Sequence, residues 1–96
     1  MLDGPLPEHE RLEVLRSCMK DGRITAIPVR RSARLVLLDR VARAFEPGVR
    51  YSGDEVNTVL RGFSADVSAL RRGLVDEGFM ECDRTRYWRC GGTVEL

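Results

Sequence analysis

The stretch from residue 52 to residue 89 constrains the fold more than any other, because its apolar positions change period partway along. Two segments repeat apolar residues every three to four positions, as amphipathic helices do, and the chain then alternates apolar and polar residues, as paired strands do. A third helical pattern lies directly upstream. Three helices followed by a β-hairpin are the plan of a winged helix-turn-helix domain. We therefore expect an α+β fold, with a three-helix core and a C-terminal hairpin wing over residues 32–90 and an additional N-terminal helix.

Boundary signals define the two helices of this stretch. Ser52 and Glu55 have the spacing of a capping box, which begins a helix by satisfying two backbone N–H groups. Gly62 lies in the short turn that follows, and Gly78 is placed to end the next helix, predicted over residues 65–77. The apolar faces of the two helices comprise Val56, Val59, Leu60, Phe63, Val67, Leu70 and Leu74. The opposite faces expose Asp54, Thr58, Arg61, Ser68, Ala69, Arg72, Gly73 and Asp76.

The hairpin is predicted from two strand-like runs, residues 79–83 and 87–90, which a three-residue loop connects. Such a loop pairs Cys82 with Trp88, which directs Trp88 into the core and leaves Tyr87 on the outer face. The core face of the hairpin then comprises Met80, Cys82, Trp88 and Cys90.

The three cysteines are expected to be reduced, because their number is odd and no C-x-x-C pair occurs. In the predicted hairpin Cys82 and Cys90 lie diagonally, roughly 7–8 Å apart, which exceeds the Cα separation of an unstrained disulfide. The N-terminus lacks the basic and apolar regions of a secretory signal, and no apolar run approaches the roughly 20 residues of a membrane helix. We therefore expect a soluble, cytoplasmic protein with no membrane partner.

An N-terminal helix is predicted over residues 7–20, where Pro7 suits the first helical position. Asp21 and Gly22 supply its end, and residues 23–28 are a short strand or an extended connector. The apolar face of this helix comprises Leu12, Leu15 and Met19, with Cys18 on its edge.

The first core helix is predicted over residues 32–45, with Ser32 as its N-cap. Its buried stripe comprises Leu35, Leu38, Val41, Ala42 and Phe45, while Asp39, Arg40 and Arg43 face water. Residues 49–51 are long enough for a very short strand that anchors the wing, and residues 91–96 are expected to be a frayed tail.

The net charge of +1 conceals a basic block in the middle of the chain. Residues 1–22 carry three basic and five acidic side chains, residues 23–50 carry seven and two, and residues 51–96 carry six and eight. The block consists of Arg23, Arg30, Arg31, Arg34, Arg40, Arg43 and Arg50. A local patch of this kind attracts phosphate or an acidic surface. The length suits one domain over residues 1–96, large enough for one modest core.

Binding of duplex DNA is the first functional hypothesis. The helix over residues 65–77 would enter a major groove, the preceding helix would cross the phosphate backbone, and the hairpin loop would reach a phosphate or the minor groove. The basic block would add phosphate contacts that do not depend on sequence. The candidate DNA-binding residues are Ser68, Arg71, Arg72, Thr58, Arg61, Arg84, Arg86, Arg30, Arg31 and Arg34.

Structural roles are the alternative for some of these residues. Arg71 lies beside the buried face and can pair with a neighbouring carboxylate, and Arg72 can pair with Asp76 one helical turn away. For the cluster ahead of the first core helix, a solvated basic patch is the alternative to a phosphate site; it comprises Arg30, Arg31 and Arg34. A non-catalytic protein-interaction or dimerisation module that does not bind DNA is the second functional hypothesis, with the N-terminal helix and the face around Gly73 as the docking surface for a partner or for a homodimer. Salt separates the two hypotheses, since DNA binding weakens steeply as salt rises.

The residue pattern does not indicate catalysis or metal binding. His9 lies in the first turn of an acidic helix, with no nucleophile or orienting partner at a usual spacing. The cysteine and histidine spacings match no zinc pattern. We therefore expect no catalytic residue, no metal site and no cofactor.

Several segments together are similar to a family of small bacterial domains of unknown function, which occur alone or attached to ArsR-type helix-turn-helix regulators. These segments are K-D-G-R with I-P, R-R-S-A-R-L-V-L-L-D-R-V, F-E-P-G-V-R-Y-S, E-V-N-T-V-L, and L-R-R-G-L-V-D-E-G-F-M with R-Y-W, across about residues 20–88. The resemblance implies a winged-helix-like fold and a regulatory role, and it brings no known substrate, catalytic residue or partner. Together with the DNA-binding hypothesis it leads us to expect a transcription-associated regulator. Gly73 stands where the family pattern has a helix former. The glycine costs up to about 1 kcal/mol of helix propensity, which suggests a close approach by another surface.

Overall fold

Four helices and five short strands make up residues 7–92, the part of the chain that the structure, a computed structural model, describes. In chain order they are α1 (Glu8–Cys18), β1 (Met19–Lys20), β2 (Arg23–Ile24), α2 (Arg31–Ala42), β3 (Arg50–Ser52), α3 (Gly53–Arg61), α4 (Val67–Asp76), β4 (Met80–Cys82) and β5 (Arg86–Arg89). The strands form two antiparallel sheets, one of β1 and β2 and one in the order β3-β5-β4. The predicted α+β class is confirmed.

The core lies where α2, α3 and α4 pack together and against the three-stranded sheet. Its buried members are Leu38, Val41, Ala42, Phe45, Val56, Leu60, Leu70, Leu74 and Met80. All of them belong to the apolar faces predicted from the sequence. The rings of Phe45 and Tyr51 meet edge to face, with centroids 5.1 Å apart and an interplanar angle of 78°. This contact joins the segment after α2 to β3.

α2 is buried on more than its core stripe, because α1 packs along it. Val36 and Leu37, outside the predicted stripe, are buried. Asp39 was predicted to face water but is only 6% exposed, and it accepts a charged hydrogen bond from Arg11 Nη2 at 3.0 Å. The prediction was wrong because residues 35–38 are all apolar, and a helix that is apolar around its circumference is covered on more than one side.

Two further expectations about helices are wrong. Leu12 was predicted to be buried but is 48% exposed, whereas Cys18 is the buried residue of α1. Arg11 reaches Asp39 on α2, so the face of α1 toward α2 carries Arg11 and, two turns further along, Cys18. Ser32 is not the N-cap of α2, since that helix begins at Arg31 and the Ser32 hydroxyl accepts a hydrogen bond from Arg30 Nε at 3.1 Å.

Asp21 and Gly22 form a hairpin turn rather than a simple helix end. Both have positive φ, 54° and 79°, as a two-residue turn of type I′ requires. The turn joins β1 to β2 and places Met19 opposite Ile24. Of the two alternatives for residues 23–28, the structure therefore has a strand at the start of the segment.

The β4–β5 hairpin differs from the prediction by one residue of register. The strand expected near residues 49–51 is present as β3 and pairs with β5. Cys82 lies opposite Tyr87 and Glu81 opposite Trp88, whereas the sequence pattern predicted Cys82 opposite Trp88. A slip of one residue exchanges the two faces of a strand. Tyr87 accordingly packs against the core and Trp88 lies on the outer face, the reverse of the prediction.

Asp83 explains the tighter turn of this hairpin. Its Oδ1 accepts hydrogen bonds from the backbone N–H groups of Thr85 and Arg86, both at 2.8 Å, and its own N–H donates to the Arg86 carbonyl oxygen at 3.0 Å. This is the local side-chain bonding by which aspartate stabilises turns. The hydrogen bond from the Thr85 N–H has the larger effect on this carboxyl and that from the Arg86 N–H the next largest. Together they hold the pKa of Asp83 below its ordinary value.

The shifted register also separates two cysteines. The Cys90 N–H donates to the Phe79 carbonyl oxygen at 2.9 Å, which continues the pairing just past the end of β5, three residues beyond Tyr87, the partner of Cys82. Three residues of strand span roughly 10 Å, and an odd offset places the side chains on opposite faces. Cys82 and Cys90 are therefore not the diagonal pair that was predicted, and all three thiols are free.

Gly73 lies against α2 and not on the exposed side of α4. A Cβ atom at this position would be 3.3 Å from Leu38 Cδ2. The close approach predicted from this glycine is therefore made by the chain itself. The docking surface proposed around Gly73 is covered, which removes half of the surface that the interaction hypothesis relied on.

Gly91 and Gly92 are packed, although residues 91–96 were predicted to be a frayed tail. The Gly91 N–H donates to the Phe79 carbonyl oxygen at 3.1 Å. A Cβ on Gly91 would be 2.5 Å from the Gly78 carbonyl oxygen, closer than packed atoms approach. Residues 93–96 lie outside the described residues.

The predicted capping box at the start of α3 is confirmed. The Ser52 hydroxyl accepts from the Glu55 N–H at 3.1 Å, and Glu55 Oε1 accepts from the Ser52 N–H at 2.7 Å. The hydrogen bond from the Ser52 backbone N–H has the largest effect on the Glu55 carboxyl, followed by the interaction with the Ser52 side chain. Both hold the pKa of Glu55 below its ordinary value. The carboxylate form of Glu55 is therefore the form that stabilises the folded state.

We expect the variant Glu55→Gln to differ from the wild type in stability at about pH 7 but not at about pH 2, as measured by urea unfolding. A carboxyl whose pKa is lowered by folding contributes stability above its ordinary pKa, and this contribution is lost as the pH falls through the folded-state value. The amide of glutamine accepts the same hydrogen bond at every pH but lacks the charge. Glu13→Gln, at an exposed position that caps no helix, is the control. A Glu55→Gln difference that does not change with pH would contradict this role.

Candidate nucleic-acid interface

A groove between α4 and the β4–β5 hairpin brings together residues from two predicted contact elements. It has a volume of about 260 Å³, and its lining includes Ser68, Arg71 and Arg72 of α4 and Tyr87 of β5. α4 supplies one wall because Leu70 and Leu74 on its other side are buried in the core. The hairpin supplies the other wall. The predicted surfaces of α4 and the wing are therefore continuous.

Ser68 and Arg72 are exposed, as predicted from the helical period. The side chain of Asp66 caps the start of α4 by accepting a hydrogen bond from the Ala69 N–H at 3.2 Å, which fixes the first turn on which Ser68 lies. Among residues 7–92 no ion pair forms between Arg72 and Asp76, the structural alternative for this arginine. Arg72 thus carries its charge at the surface.

Arg71 has the structural role that was its alternative, although with a different partner. Its Nη1 donates to the Asn57 Oδ1 at 2.5 Å, in a half-buried contact between α4 and α3. The partner is an amide oxygen and not the carboxylate expected, so the guanidinium charge is not neutralised by it. Arg71 joins the two helices and leaves a positive charge on the groove wall.

The two candidates on α3 are both exposed but differ in what their side chains do. The Thr58 hydroxyl donates to the carbonyl oxygen of Asp54 at 2.9 Å, within the helix. The backbone carbonyl of Arg61 accepts a hydrogen bond from Arg23 at 2.9 Å, while its own side chain extends from the end of the helix. Of the two candidates, Arg61 is therefore the one that presents a positive charge.

Arg84 and Arg86 are exposed at the hairpin turn. The turn itself is held by the Asp83 carboxylate, which accepts hydrogen bonds from the backbone on both sides of it. Arg86 also lies close enough to Glu55 to help lower the pKa of that carboxyl. The hairpin turn thus presents two guanidinium groups on a short, rigid loop.

The three upstream candidates, Arg30, Arg31 and Arg34, lie apart from the groove. Arg31 Nη2 is 2.9 Å from Glu77 Oε1, and Arg34 Nη2 is 3.9 Å from the other carboxylate oxygen. Glu77 follows the last residue of α4, nine residues from Ser68, which is roughly 13 Å along a helix. Arg30 donates to the hydroxyl of Ser32. The structure therefore does not bring these arginines together with the α4 residues, and one acid offsets part of their charge.

Most of the remaining arginines serve the fold. Arg23 donates to carbonyl oxygens at the end of α3, and Arg89 donates to those of Phe45 and Gly91. Arg40, predicted to face water, is half-buried with its guanidinium 5.8 Å from the centroid of the Phe63 ring. Arg50 lies 4.3 Å over the Trp88 ring. The basic block seen in the sequence is therefore largely a set of structural contacts.

Tyr87 is the groove residue that the sequence did not place. It was assigned to the outer face of the wing, and the one-residue change of register moves it to the α4 side. Asp83 is the signal that could have found it. An aspartate at the start of a turn accepts a hydrogen bond from the backbone two residues on, which favours a tight turn and therefore the observed register.

Neither Cys18 nor Cys90 shows the activation of a reactive thiol. Burial raises the pKa of the Cys18 thiol, and burial together with the Glu81 carboxylate raises that of Cys90, whereas a reactive cysteine has a lowered pKa. Within residues 7–92 no three His, Cys, Asp or Glu side chains converge as a metal site requires. In the same residues, no helix has the length and apolar character needed to cross a membrane.

The fold and the groove define a small α+β domain in which two consecutive helices and a hairpin form one continuous surface. The chain belongs to the bacterial family described as "Uncharacterized protein conserved in bacteria (DUF2087)", which matches residues 23–89. The resemblance stated from the sequence is thereby confirmed at the level of this family, and α1 precedes the matched residues. Neither the curated proteins nor the solved structures contain a significant match to the chain.

Proposed function

We propose that this chain is a winged-helix domain that binds duplex DNA and acts in transcription regulation. The observation that carries the proposal is the groove in which Ser68 and Arg72 of α4 lie beside the β4–β5 hairpin. In this arrangement α4 enters a major groove while the hairpin turn reaches the adjacent backbone or minor groove. The pairing of β3 with β5 supports the winged-helix assignment, since it ties the hairpin to the segment between α2 and α3.

Charge supports the same surface. Arg61, Arg72, Arg84 and Arg86 are exposed around α3, α4 and the hairpin turn. A helix end, a helix face and a turn that each present a guanidinium suit the phosphates on either side of a groove. The upstream arginines contribute less than the sequence suggested, because Glu77 lies against two of them.

The resemblance to domains attached to ArsR-type regulators agrees with this role. A domain of this kind beside a DNA-binding regulator would add a second, weaker nucleic-acid contact, which raises overall affinity through effective concentration. Regulation of transcription is the class of process that this arrangement suits.

We expect Arg72→Ala to weaken binding of a mixed-sequence duplex by about tenfold. In the proposed complex this side chain reaches a base edge or a phosphate in the major groove of the DNA. Arg84→Ala is expected to lower the slope of log K against log salt by about one, the signature of a lost phosphate contact. Fluorescence anisotropy with a labelled duplex at about 50 mM and about 200 mM salt measures both effects. Arg16→Ala, at an exposed position on α1, is the matched control and should bind as the wild type does.

An amide chemical-shift map with the same duplex locates the surface. Shifts should concentrate in α4 and residues 83–87. Absence of binding at both salt concentrations, or shifts confined to α1, would overturn the proposal. An effect of Arg31→Ala larger than that of Arg72→Ala would move the binding surface to the start of α2.

A protein-interaction role is the second candidate, and exposed apolar side chains favour it. Val29 is 94% exposed, Ile27 47% and Leu12 48%. They lie on α1 and on the connection before α2, whereas the face around Gly73 is covered by Leu38. Self-association with rising protein concentration, together with no affinity for DNA, would favour this candidate.

A further inference from the structure

Two residues on opposite walls of the groove between α4 and the hairpin are both held by α3. Tyr87 lies beside the first residue of that helix, since a Cβ on Gly53 would be 3.9 Å from Tyr87 Cε1. Arg71 reaches the same helix one turn later, where its Nη1 donates to the Asn57 side chain. Residues four apart on a helix are neighbours on its surface. Arg71 and Tyr87 are therefore fixed relative to each other, although they come from different elements.

Several polar groups that line the groove are available to a ligand. Within residues 7–92, the Ser68 hydroxyl, the Arg72 guanidinium and the Tyr87 hydroxyl make no hydrogen bond or ion pair with the protein. Arg71 uses Nη1 for Asn57, which leaves its Nε–H and Nη2–H groups as a planar fork. The three α4 residues have the spacing i, i+3 and i+4, so they share one face of the helix. The groove thus collects hydrogen-bond donors, two of them charged, which suits an anion.

The wall becomes apolar beyond these donors. Val75, one turn after Arg71, lines the groove and packs against the core, as the Tyr87 side chain does from the other wall. The volume of about 260 Å³ is just below that of pockets for drug-sized ligands, about 300 Å³ and more. It is several times the roughly 30 Å³ that one water molecule occupies in the liquid. The groove therefore has room for an anion with an apolar body.

Asp76 limits the charge that the ligand can carry. It lines the groove five residues beyond Arg71, roughly 7–8 Å along the helix axis. A second negative charge on the ligand would be brought toward this carboxylate and repelled. The free fork of Arg71 matches the two oxygens of a carboxylate. A monocarboxylate held at the Ser68 end, with its body directed toward Val75, fits both conditions.

We propose that the groove binds a small carboxylic acid with an apolar body. The guanidinium groups of Arg71 and Arg72 hold the carboxylate, and the hydroxyls of Ser68 and Tyr87 donate to it. The body lies against Val75 and the Tyr87 ring. This inference goes beyond DNA binding and does not depend on it, because the ligand is detected with no nucleic acid present.

The probe is 4-ethylbenzoate, added to the whole chain at about pH 7, where its carboxyl is ionised, and followed by amide chemical shifts. We expect a Kd of about 1 mM, with shifts concentrated at residues 68–76 and Tyr87. The amide 4-ethylbenzamide has the same shape without the charge, and acetate has the charge without the body. Each should bind about tenfold more weakly or worse. Equal binding of the acid and the amide, or shifts confined to other elements, would overturn the proposal.

Two variants separate the fork from its charge. Arg71→Lys keeps the positive charge but loses the bidentate geometry, and it should weaken 4-ethylbenzoate binding by about tenfold. Arg72→Ala, at an exposed position away from the contact with α3, should weaken it by about threefold. Arg84→Ala is the control, since this residue lies on the hairpin turn outside the groove lining and belongs to the proposed DNA surface. It should leave acid binding unchanged, so failure of the acid site and failure of DNA binding are distinguishable.

Dimethyl phosphate distinguishes an acid site from a contact with the nucleic-acid backbone. It carries one negative charge and two phosphate esters, as a DNA linkage does, but it has little apolar surface. We expect it to bind about tenfold more weakly than 4-ethylbenzoate, because it leaves Val75 uncovered. Tighter binding of dimethyl phosphate, or an Arg71→Lys variant that binds 4-ethylbenzoate as the wild type does, would overturn the proposal.

Discussion

Replacing Gly91 with alanine is expected to lower the free energy of unfolding by about 2–3 kcal/mol, the upper part of the usual range for overpacking. The added Cβ would lie 2.5 Å from the carbonyl oxygen of Gly78 and 3.4 Å from the Cα of Phe79. Both neighbours are backbone atoms, so no side-chain rotation can relieve the contact. Because the φ of Gly91 is not in the left-handed region, the effect would be steric and not conformational.

The matched control is Gly53→Ala at the first position of α3. A Cβ there would meet nothing closer than Tyr87 Cε1 at 3.9 Å. The substitution restricts the unfolded chain without a clash, so we expect it to stabilise the fold by about 0.4–1 kcal/mol. Urea unfolding of the two variants should therefore give changes of opposite sign. A neutral Gly91→Ala would mean that the segment after β5 is not packed against the end of α4.

Asp39→Ala is expected to cost about 2 kcal/mol, because it removes a charged hydrogen bond between a buried carboxylate and Arg11, whose side chain is 33% exposed. The Asp39 carboxylate is 6% exposed and binds Arg11 at 3.0 Å. A Cβ on Gly92 would lie 2.9 Å from its Oδ1, which shows how closely the chain packs around it. Loss of this carboxylate should loosen α1 first, seen as faster hydrogen exchange of α1 amides than of α3 amides.

Asp76→Ala is the control for the loss of an aspartate from a helix. Asp76 is exposed at the last position of α4, where a negative charge is unfavourable to the helix dipole. Its removal should change the free energy of unfolding by less than about 0.5 kcal/mol. If Asp39→Ala were equally mild, the contact with Arg11 would be a surface ion pair that the packing of α1 does not depend on.

The helical core could be predicted from the sequence because each helix carries its own pattern. Val56 and Leu60, like Leu70 and Leu74, are spaced by four, and the Ser52–Glu55 capping box marks a helix start within four residues of chain. These signals are local, and the structure confirms them. The same spacing correctly predicted that Ser68 and Arg72 are exposed.

The register of the hairpin could not be predicted in the same way. Tyr87 and Trp88 are adjacent aromatic residues, so either phase of the alternation gives the strand an apolar face. The choice between them depends on the turn, where the Asp83 side chain favours the tighter connection. A local polar contact therefore decided between two registers that the hydrophobic pattern allows, and it determined which aromatic side chain lines the groove.

The partners of the arginines lay beyond any local pattern. Arg31 meets Glu77, which is 46 residues away along the chain. Arg11 meets Asp39 at a separation of 28 residues. A count of charges along the sequence treats such arginines as a free basic surface, whereas the fold places an acid or a carbonyl oxygen beside many of them. The exposed arginines of the proposed DNA-binding surface instead lie on α3, α4 and the β4–β5 hairpin.

Asp39 lies beside residues from both ends of the described chain. Arg11 near the start of the described chain and Gly92 at its end both lie against this one residue. Arg11 and Gly92, near the two ends of the described residues, thus lie on the same side of α2. A unit whose ends lie near each other can be attached at either end of a larger protein, or inserted between two of its segments, without pulling its own elements apart.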